Sequence, residues 1–236
     1  KNLKMKNLLM TAIAIFGLAI ITMAQVPSYV PESGIVGWWA FNGNANDESG
    51  NGNNGINNGA TLTTDRFGNV NSAYYFDGNN DNITVNQTSL TFGENQNFSI
   101  SLWFKTSVTC GSEYCGGFLS QMGITSQNGI GYQIGYDKTN NFKFEYNTNS
   151  PAQPPIQFYN ISNVIDNNWH LITVSVDKVN NTIYIYSDGI LSNTITKSWI
   201  YKTTYNTNYL FFGMLRGSNY FYNGSLDDIG IWDRAL

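Results

Sequence analysis

Short runs of alternating apolar and polar residues recur along this chain, with turn residues between them. In residues 98–105, FSISLWFK, every second side chain is apolar and lies on one face of the predicted strand. Residues 170–177, HLITVSVD, show the same alternation. Alternation with a period of two is the pattern of a half-buried β-strand. Asp188-Gly189 lies between two such runs and predicts a hairpin turn. The pattern therefore predicts β-strands connected by short turns.

The same reasoning, applied along the chain, predicts thirteen strands. They cover residues 36–41, 73–76, 82–86, 98–105, 117–121, 130–136, 142–146, 156–159, 170–177, 183–186, 190–196, 209–212 and 222–232. No stretch after residue 24 sustains a helical period, and no blade-like repeat of the kind found in propellers occurs. Strands at this spacing without an internal repeat predict an all-β fold, a two-sheet antiparallel sandwich.

The first 24 residues are set apart from this pattern. Lys1, Lys4 and Lys6 precede an apolar run that ends near Thr22-Met23-Ala24. A basic start, an apolar centre and a small-residue cleavage pattern predict a secretory signal peptide, because the run is shorter than the roughly 20 residues that span a bilayer. We expect residues 25–34 to form a short N-terminal lead, and the mature protein to be secreted or held at the cell surface without membrane insertion.

Charge narrows the set of partners. Removing residues 1–24 takes away three lysines and no acid, so the net charge falls from −4 to −7. An acidic surface repels phosphate backbones and anionic lipids, which argues against binding to nucleic acid or to a membrane surface.

The only cysteines, Cys110 and Cys115, are separated by four residues. In an exported chain this spacing predicts a local disulfide, which by the chain-entropy model is worth about 2 kcal/mol at most. A soft metal site is disfavoured, because the single histidine, His170, supplies at best one further ligand. We interpret His170, which alternates with apolar residues, as a packed or hydrogen-bonded structural residue.

The loop that follows the first predicted strand is rich in oxygen ligands. Residues 37–55, GWWAFNGNANDESGNGNNG, pass from two tryptophans into asparagine, glycine, Asp47, Glu48 and Ser49. Such side chains and carbonyls are what Ca²⁺ prefers, but an ion-free surface loop has the same composition. In the last strand, strict alternation places Asp227 on the side of Ile229 and Ile231. A carboxylate there needs Ca²⁺, a lysine or backbone amides to compensate its burial.

Six segments in this order resemble the laminin-G-like jelly-roll domains of secreted bacterial proteins, within the concanavalin A-like lectin/glucanase superfamily. The segments are GWWAF at 37–41, DESGNGN at 47–53, YFDG at 75–78, FSISLW at 98–103, WHL at 169–171 and GSLDDI at 224–229 with DRAL at 233–236. The resemblance covers nearly all of residues 35–236, and it implies two curved antiparallel sheets.

The resemblance also implies a structural Ca²⁺ in many members and a role in binding glycans or in adhesion. It suggests Asp47 and Asp227 as side-chain ligands, together with Asn51 or neighbouring carbonyls. Because family members usually run a short way past the Arg-Ala-Leu motif, we expect this chain to end early and to be part of a longer, modular protein.

Glycoside hydrolases share this superfamily, so catalysis must be considered. Laminarinase-type members carry the pattern Glu-x-Asp-x-x-Glu on one strand, which is absent here. Glu145 and Asp137 lie near consecutive strands and could face one cleft, although a retaining mechanism needs two carboxyl groups about 5–5.5 Å apart. The sequence therefore favours a protein without catalytic activity.

Three functions remain open. The first is a carbohydrate-binding or adhesion module whose partner is a polysaccharide or a glycoprotein glycan, bound by aromatic rings and amides. Candidate contacts are Tyr132, Trp199, Tyr201, Tyr205 and Tyr220, although aromatic residues in a sandwich more often belong to the core or are exposed incidentally. The second is a glycoside hydrolase or lyase with an unfamiliar arrangement of acids. The third is a structural spacer in a multidomain surface protein.

Overall fold

The computed structural model describes residues 26–86, 90–109, 115–122, 129–148, 152–159, 161, 164–202, 209–215 and 220–236. In this part of the chain there are seventeen strands and no α-helix. They are β1 (Ile35–Trp39), β2 (Gly55–Asn58), β3 (Thr61–Thr63), β4 (Ala73–Asp77), β5 (Asn82–Val85), β6 (Phe98–Lys105), β7 (Cys115–Met122), β8 (Gly131–Tyr136), β9 (Phe142–Asn147), β10 (Ile156–Tyr159), β11 (His170–Asp177), β12 (Thr182–Ser187), β13 (Ile190–Thr196), β14 (Leu210–Phe212), β15 (Met214–Leu215), β16 (Tyr220–Phe221) and β17 (Asn223–Trp232).

These strands form two large antiparallel sheets. The larger sheet has the order β13-β12-β11-β6-β17-β4-β3, with β1 paired to β17 as well. The smaller sheet has the order β10-β9-β8-β7-β14-β5-β2, and β15 pairs with β16 in a separate ribbon. The predicted all-β, two-sheet antiparallel sandwich is confirmed, and the first and last strands lie side by side as expected for it.

Alternation explains how the sheets pack. In β6, Ile100, Leu102 and Phe104 are fully buried in the main core, and they lie opposite Val174, Ile172 and His170 of β11. Residues directly opposite each other on neighbouring strands share a face, so the inward residues of both strands form one continuous apolar layer. The facing layer comes from the smaller sheet and includes Tyr132, Phe144 and Phe118.

Two strands at the sheet edges were not predicted from the sequence. β2 is Gly-Ile-Asn-Asn, and β3 is Thr-Leu-Thr, and the side chains of both are mostly exposed or half-buried. Asparagine and glycine are depleted in strands, so β2 carries no propensity signal, and the three residues of β3 are too few to show a period. Pairing with β5 and β4 determines their conformation.

The prediction that Asp227 shares a face with Ile229 and Ile231 is wrong. The ladder between β17 and β6 pairs Asp227 with Trp103 and then Gly230 with Ser101, which leaves one extra residue on β17. Asp228 takes this bulge position with a φ of 43°. As a result Leu226 joins Ile229 and Ile231 in the core, and Asp227 faces outward beside Trp103.

Candidate functional site

An open cavity of about 630 Å³ lies on the outer face of the larger sheet, the face turned away from the main core. Six aromatic side chains contribute to its lining: Tyr29, Trp38, Phe67, Trp103, Trp169 and Trp232. We call this cavity the aromatic groove. Its size lies within the range of roughly 300–1,000 Å³ that is usual for small-ligand sites, and such sites are mostly apolar with a few polar groups.

The strands of the larger sheet supply the floor of the groove. Trp103 of β6 lies opposite Leu171 of β11, and both residues line the cavity. Trp38 of β1 pairs with Gly230 of β17, where a Cβ atom would collide with the rings of Trp232 and Trp38. Glycine is therefore required at residue 230 if the two tryptophans are to pack against the sheet.

The N-terminal lead supplies one wall. Val26 and Val30 pack with Trp38, Ala40 and Trp232 in a small second core that is separate from the main one. The indole nitrogen of Trp232 donates a hydrogen bond of 2.7 Å to the carbonyl oxygen of Pro31. These contacts hold residues 26–31 against the sheet, with Tyr29 largely exposed at the mouth of the groove.

Arg66 supplies the principal charged group. Its Nη1 lies 2.8 Å from Oδ2 of Asp227, and its Nη2 lies 2.6 Å from Oδ2 of Asp228. The guanidinium carbon is 4.8 Å from the centre of the Trp103 ring and 4.3 Å from that of Phe67. One arginine thus bridges two nearly buried carboxylates and stacks between two aromatic rings, an arrangement for which a planar guanidinium is suited.

Hydrogen bonding extends this cluster to the N-terminal lead. The Tyr29 hydroxyl donates to Oδ2 of Asp228 at 3.2 Å. Burial, reinforced by the neighbouring Asp228 carboxylate, raises the pKa of Asp227, and Arg66 opposes this shift. Burial also raises the pKa of Asp228, again against the influence of Arg66. Arg66, Asp227, Asp228 and Tyr29 thus form a compact charged cluster at the side of the groove, in contact with aromatic rings.

Asp47 organises the oxygen-rich loop predicted to bind Ca²⁺. Its Oδ1 accepts hydrogen bonds of 2.9 Å from the backbone N–H groups of Trp38 and Ser49, and its Oδ2 accepts one of 2.8 Å from Asn53. The backbone N–H of Asp47 donates to the side chain of Asn54. The carboxylate thus links the end of β1 to both halves of the loop.

The other two predicted ligands have different surroundings. The Asn51 amide donates to the carbonyl oxygen of Ile35 and to the hydroxyl of Ser49, whereas Asp227 is paired with Arg66. The compensation that Asp227 was predicted to need is therefore supplied by an arginine. Among the described residues, no group of three or more histidine, cysteine, aspartate or glutamate side chains is arranged to hold a metal ion.

Among the predicted sugar contacts, those that the structure describes do not line the groove. Tyr132 is fully buried in β8, and its hydroxyl donates to the carbonyl oxygen of Leu90 at 2.8 Å. Trp199 is partly buried and packs against the main core. Tyr201 is half-buried, with the Lys202 amino group 4.6 Å from its ring centre. Tyr205 lies outside the described residues, and Tyr220 is in β16.

The groove tryptophans carried a signal that sequence reasoning missed. In β6 Trp103 shares a face with Ser99, Ser101 and Lys105, so it belongs to the polar side of the strand. A large aromatic residue on a polar face points to an exposed binding surface, whereas one on an apolar face belongs to the core. Arg66 carried no such signal, because its partners Asp227 and Asp228 lie 161 and 162 positions further along the chain.

The two acids considered for catalysis are separated along a hairpin. Glu145 lies in β9 opposite Gln133 and accepts a 2.8 Å hydrogen bond from its amide. Asp137 follows β8 and accepts hydrogen bonds from the backbone of Thr139 and Asn141 in the turn. Gln133 and Asp137 are four positions apart along extended chain, and at about 3.3 Å per residue this corresponds to roughly 13 Å between their backbones. This spacing exceeds the separation of both retaining and inverting glycosidase pairs, about 5–9.5 Å.

Two further predictions concern residues that the structure does not describe. The signal peptide lies outside the described residues, as does Cys110, and the side chain of Cys115 is not described either, so the disulfide stays a prediction. In the described part of the chain, no helix has the length and apolar character needed to cross a membrane.

Residues 77–236 match the family model of the concanavalin A-like lectin/glucanases superfamily. The chain belongs to that superfamily. The resemblance in the sequence is thereby confirmed. No curated protein matches this member of the superfamily.

Several solved structures are similar to this superfamily member. One is the binding domain of Paraclostridial Mosquitocidal Protein 1, with a TM-score of 0.70 and 17% identity over 87% of this chain and 50% of that chain. Another is the binding domain of botulinum neurotoxin serotype D, with a TM-score of 0.64 and 17% identity over 87% of this chain and 49% of that one. This chain therefore spans about half the length of the toxin binding domains.

A third similar structure is domain 4 of AbnA, a GH43 extracellular arabinanase from Geobacillus stearothermophilus, in complex with arabinotriose. It has a TM-score of 0.61 and 20% identity over 87% of this chain and 95% of that domain. At these identities the likeness concerns the fold.

Proposed function

We propose that this chain is a secreted, non-catalytic carbohydrate-binding or adhesion module that binds a glycan in the aromatic groove. The observation that carries the proposal is the lining of the groove, where six aromatic side chains accompany only a few charged and hydroxyl groups. Flat aromatic rings stack on the apolar faces of sugars, and polar groups at the rim bind the hydroxyls.

Two polar groups can serve those hydroxyls. The Asp228 carboxylate lines the groove beside Arg66. Tyr29 also lines it and is largely exposed, so its hydroxyl oxygen can accept a hydrogen bond from a sugar hydroxyl.

The charge near the groove favours a neutral glycan. Arg66 is already paired with Asp227 and Asp228, and Glu48 adds a further carboxylate nearby. Burial raises the pKa of Glu48, and the charges of Asp228 and Asp47 raise it further. An acidic polysaccharide would meet this surplus of carboxylates, whereas a neutral one would not.

Domain 4 of AbnA lends this proposal support by analogy, since a domain of the same fold and nearly the same extent was crystallised with arabinotriose. The toxin neighbours are binding domains of larger proteins. A module that targets a longer, modular protein to a glycan is consistent with both comparisons.

A structural Ca²⁺ stays part of the proposal. It is supported by the oxygen-rich loop around Asp47 and by the mutual repulsion of Glu48, Asp47 and Asp228, which a nearby cation would relieve. Asp227 is the weakest of the predicted ligands, because a cation at its Oδ2 would be repelled by Arg66.

Calorimetric titration of the purified protein tests the proposal. The ligands are neutral polysaccharides, namely arabinan, laminarin and xyloglucan, and acidic ones, namely alginate and pectin, each with Ca²⁺ and with EDTA. Saturable binding to a neutral polysaccharide, without release of new reducing ends, is the expected result. Cleavage of the polysaccharide would contradict the non-catalytic assignment, and a lack of binding to every glycan would favour a spacer.

A further inference from the structure

His170 lies between two carboxylates. Its Nδ1 is 3.0 Å from Oδ2 of Asp188, and its Nε2 is 3.1 Å from Oδ1 of Asp166. Asp166 belongs to the loop before β11, and Asp188 belongs to the turn between β12 and β13. The Phe104 ring of β6 packs against the imidazole, with ring centres 5.8 Å apart. Among the described residues, the two aspartates are the charged groups that face this ring.

This geometry favours the imidazolium form. A neutral imidazole has one N–H and one bare nitrogen, so one of the two contacts would bring a lone pair against a carboxylate. Only the doubly protonated ring donates to both aspartates at once. The His170 side chain is 15% exposed, so solvent screens the two ion pairs only in part.

The same residues hold one side of the aromatic groove. Trp169 and Leu171, which flank His170 in sequence, both line the cavity. Asp188 accepts a hydrogen bond of 2.8 Å from the Leu171 N–H through its other carboxylate oxygen, and its own N–H donates to the Leu171 carbonyl. His170 therefore ties the Asp166 loop to the Asp188 turn across the segment that carries Trp169.

We propose that protonated His170 positions Trp169 in the aromatic groove, so that ligand affinity falls when His170 loses its proton. The proposal rests on the glycan-binding function proposed above. His170 does not line the groove itself; it acts through Trp169 as a positioning residue.

The electrostatics are consistent with this role. Burial lowers the pKa of His170, but the hydrogen bonds and charges of Asp188 and Asp166 outweigh it, so the pKa is raised overall. Hydrogen bonds from Asn168, followed by the contact with His170, lower the pKa of Asp166 to about 2. The first shift favours the protonated form of His170, and the second favours the ionised form of Asp166.

Proton NMR tests the positioning directly and needs no ligand. His170 is the only histidine in the chain, so in a protein without an affinity tag its Hε1 signal is assigned at once. The Trp169 indole N–H signal is assigned by its loss in Trp169→Phe. We expect the His170 midpoint to lie above about 6.5, the ordinary histidine value, and the Trp169 signal to shift with the same midpoint.

Variants separate positioning from a general effect of pH. In His170→Gln the Trp169 signal should no longer titrate in the neutral range. In Asp166→Asn and Asp188→Asn the His170 midpoint should fall, and asparagine also tolerates the positive φ of residue 188. A Trp169 signal that does not move with pH in the wild type, or that moves equally in His170→Gln, would overturn the proposal.

Binding gives the functional readout. For whichever of arabinan, laminarin or xyloglucan binds, affinity at about pH 8.5 should be about two- to fivefold weaker than at about pH 6, the size expected from partly exposed ion pairs. His170→Gln should bind weakly at both pH values. Binding of the wild type that is independent of pH would contradict the inference and leave the glycan function intact. Absence of binding at every pH would contradict the glycan function, and the NMR titration would still decide the role of His170.

Discussion

Asp227 and Trp103 lie directly opposite each other on β17 and β6, on the outer face of the larger sheet. The bulge at Asp228 produces this pairing, because without the extra residue Asp227 would face the core. Arg66 binds the carboxylate of Asp227 and stacks on the ring of Trp103. One local irregularity in the last strand thus brings a charge cluster and an aromatic platform together at the groove.

Arg66 should be the main source of stability in this cluster. Arg66→Met leaves Asp227 and Asp228 without their counter-ion, and breaking a buried pair in this way costs about 3–5 kcal/mol. Urea unfolding measures the loss. Arg234→Met is the matched control, because Arg234 donates to the backbone carbonyls of Ser33 and Ala235 instead of bridging two carboxylates, so we expect a smaller loss there. An Arg66→Met protein as stable as the wild type would show that the ion pairs contribute nothing.

Asp47 should hold the loop through its hydrogen bonds. Asp47→Ala removes the acceptor for the N–H groups of Trp38, Ser49 and Asn53. We expect a loss of about 2–3 kcal/mol in the free energy of unfolding, since buried donors are left unpaired. Asp47→Asn keeps one acceptor oxygen and should lose less. Equal losses for the two variants would instead indicate that the negative charge itself matters.

Calcium is tested separately. A structural Ca²⁺ bound near Asp47 stabilises only the folded state, so EDTA should lower the melting temperature and added Ca²⁺ should restore it. The effect should vanish in Asp47→Ala. If EDTA leaves the melting temperature of the wild type unchanged while Asp47→Ala still loses stability, hydrogen bonds alone hold the loop.

Lys178 should make stability depend on pH in the alkaline range. Its amino group is buried and donates to the carbonyl oxygens of Phe92 and Gly93 at 3.0 and 2.8 Å. Burial lowers its pKa to about 7, with Glu94 opposing the shift.

The unfolded chain therefore binds a proton that the folded chain has lost, between about pH 7 and the ordinary lysine value of about 10.4. Stability attributable to Lys178 should rise with pH in this window, by at most about 1.4 kcal/mol per pH unit. Urea unfolding of the wild type and of Lys178→Met at several pH values measures the difference. A difference that does not change with pH would contradict this view of Lys178.

The periodicity of β6 and β11 was enough to predict those strands, their inward residues and the sandwich. The edge strand β3 was missed because three residues carry no period, and β2 was missed because its asparagines are atypical of strands. The face occupied by Asp227 was predicted incorrectly because strict alternation was assumed, whereas the bulge at Asp228 lets Leu226 and Ile229, three positions apart, share the core face.

The groove was predictable only in part. Trp103 stood out on the polar side of its strand. Its neighbours in the groove, Trp169 and Trp232, are brought to it by the pairing of β11 and β17 with β6. Phe67 and Tyr29 come from segments outside the strands. Contacts between residues so far apart in the chain depend on sheet order and register, which a single sequence does not specify.

The most direct test of the central claim is the affinity of Trp103→Ala for the neutral polysaccharide that the wild-type protein binds, measured beside Tyr209→Ala. Tyr209 is an exposed aromatic residue next to β14 of the smaller sheet, and it does not line the aromatic groove. Loss of a stacking ring should weaken binding by at least about fivefold in Trp103→Ala, since such contacts are worth about 1 kcal/mol or more, with little change in Tyr209→Ala. Unchanged affinity in Trp103→Ala, or a loss confined to Tyr209→Ala, would show that the glycan binds elsewhere.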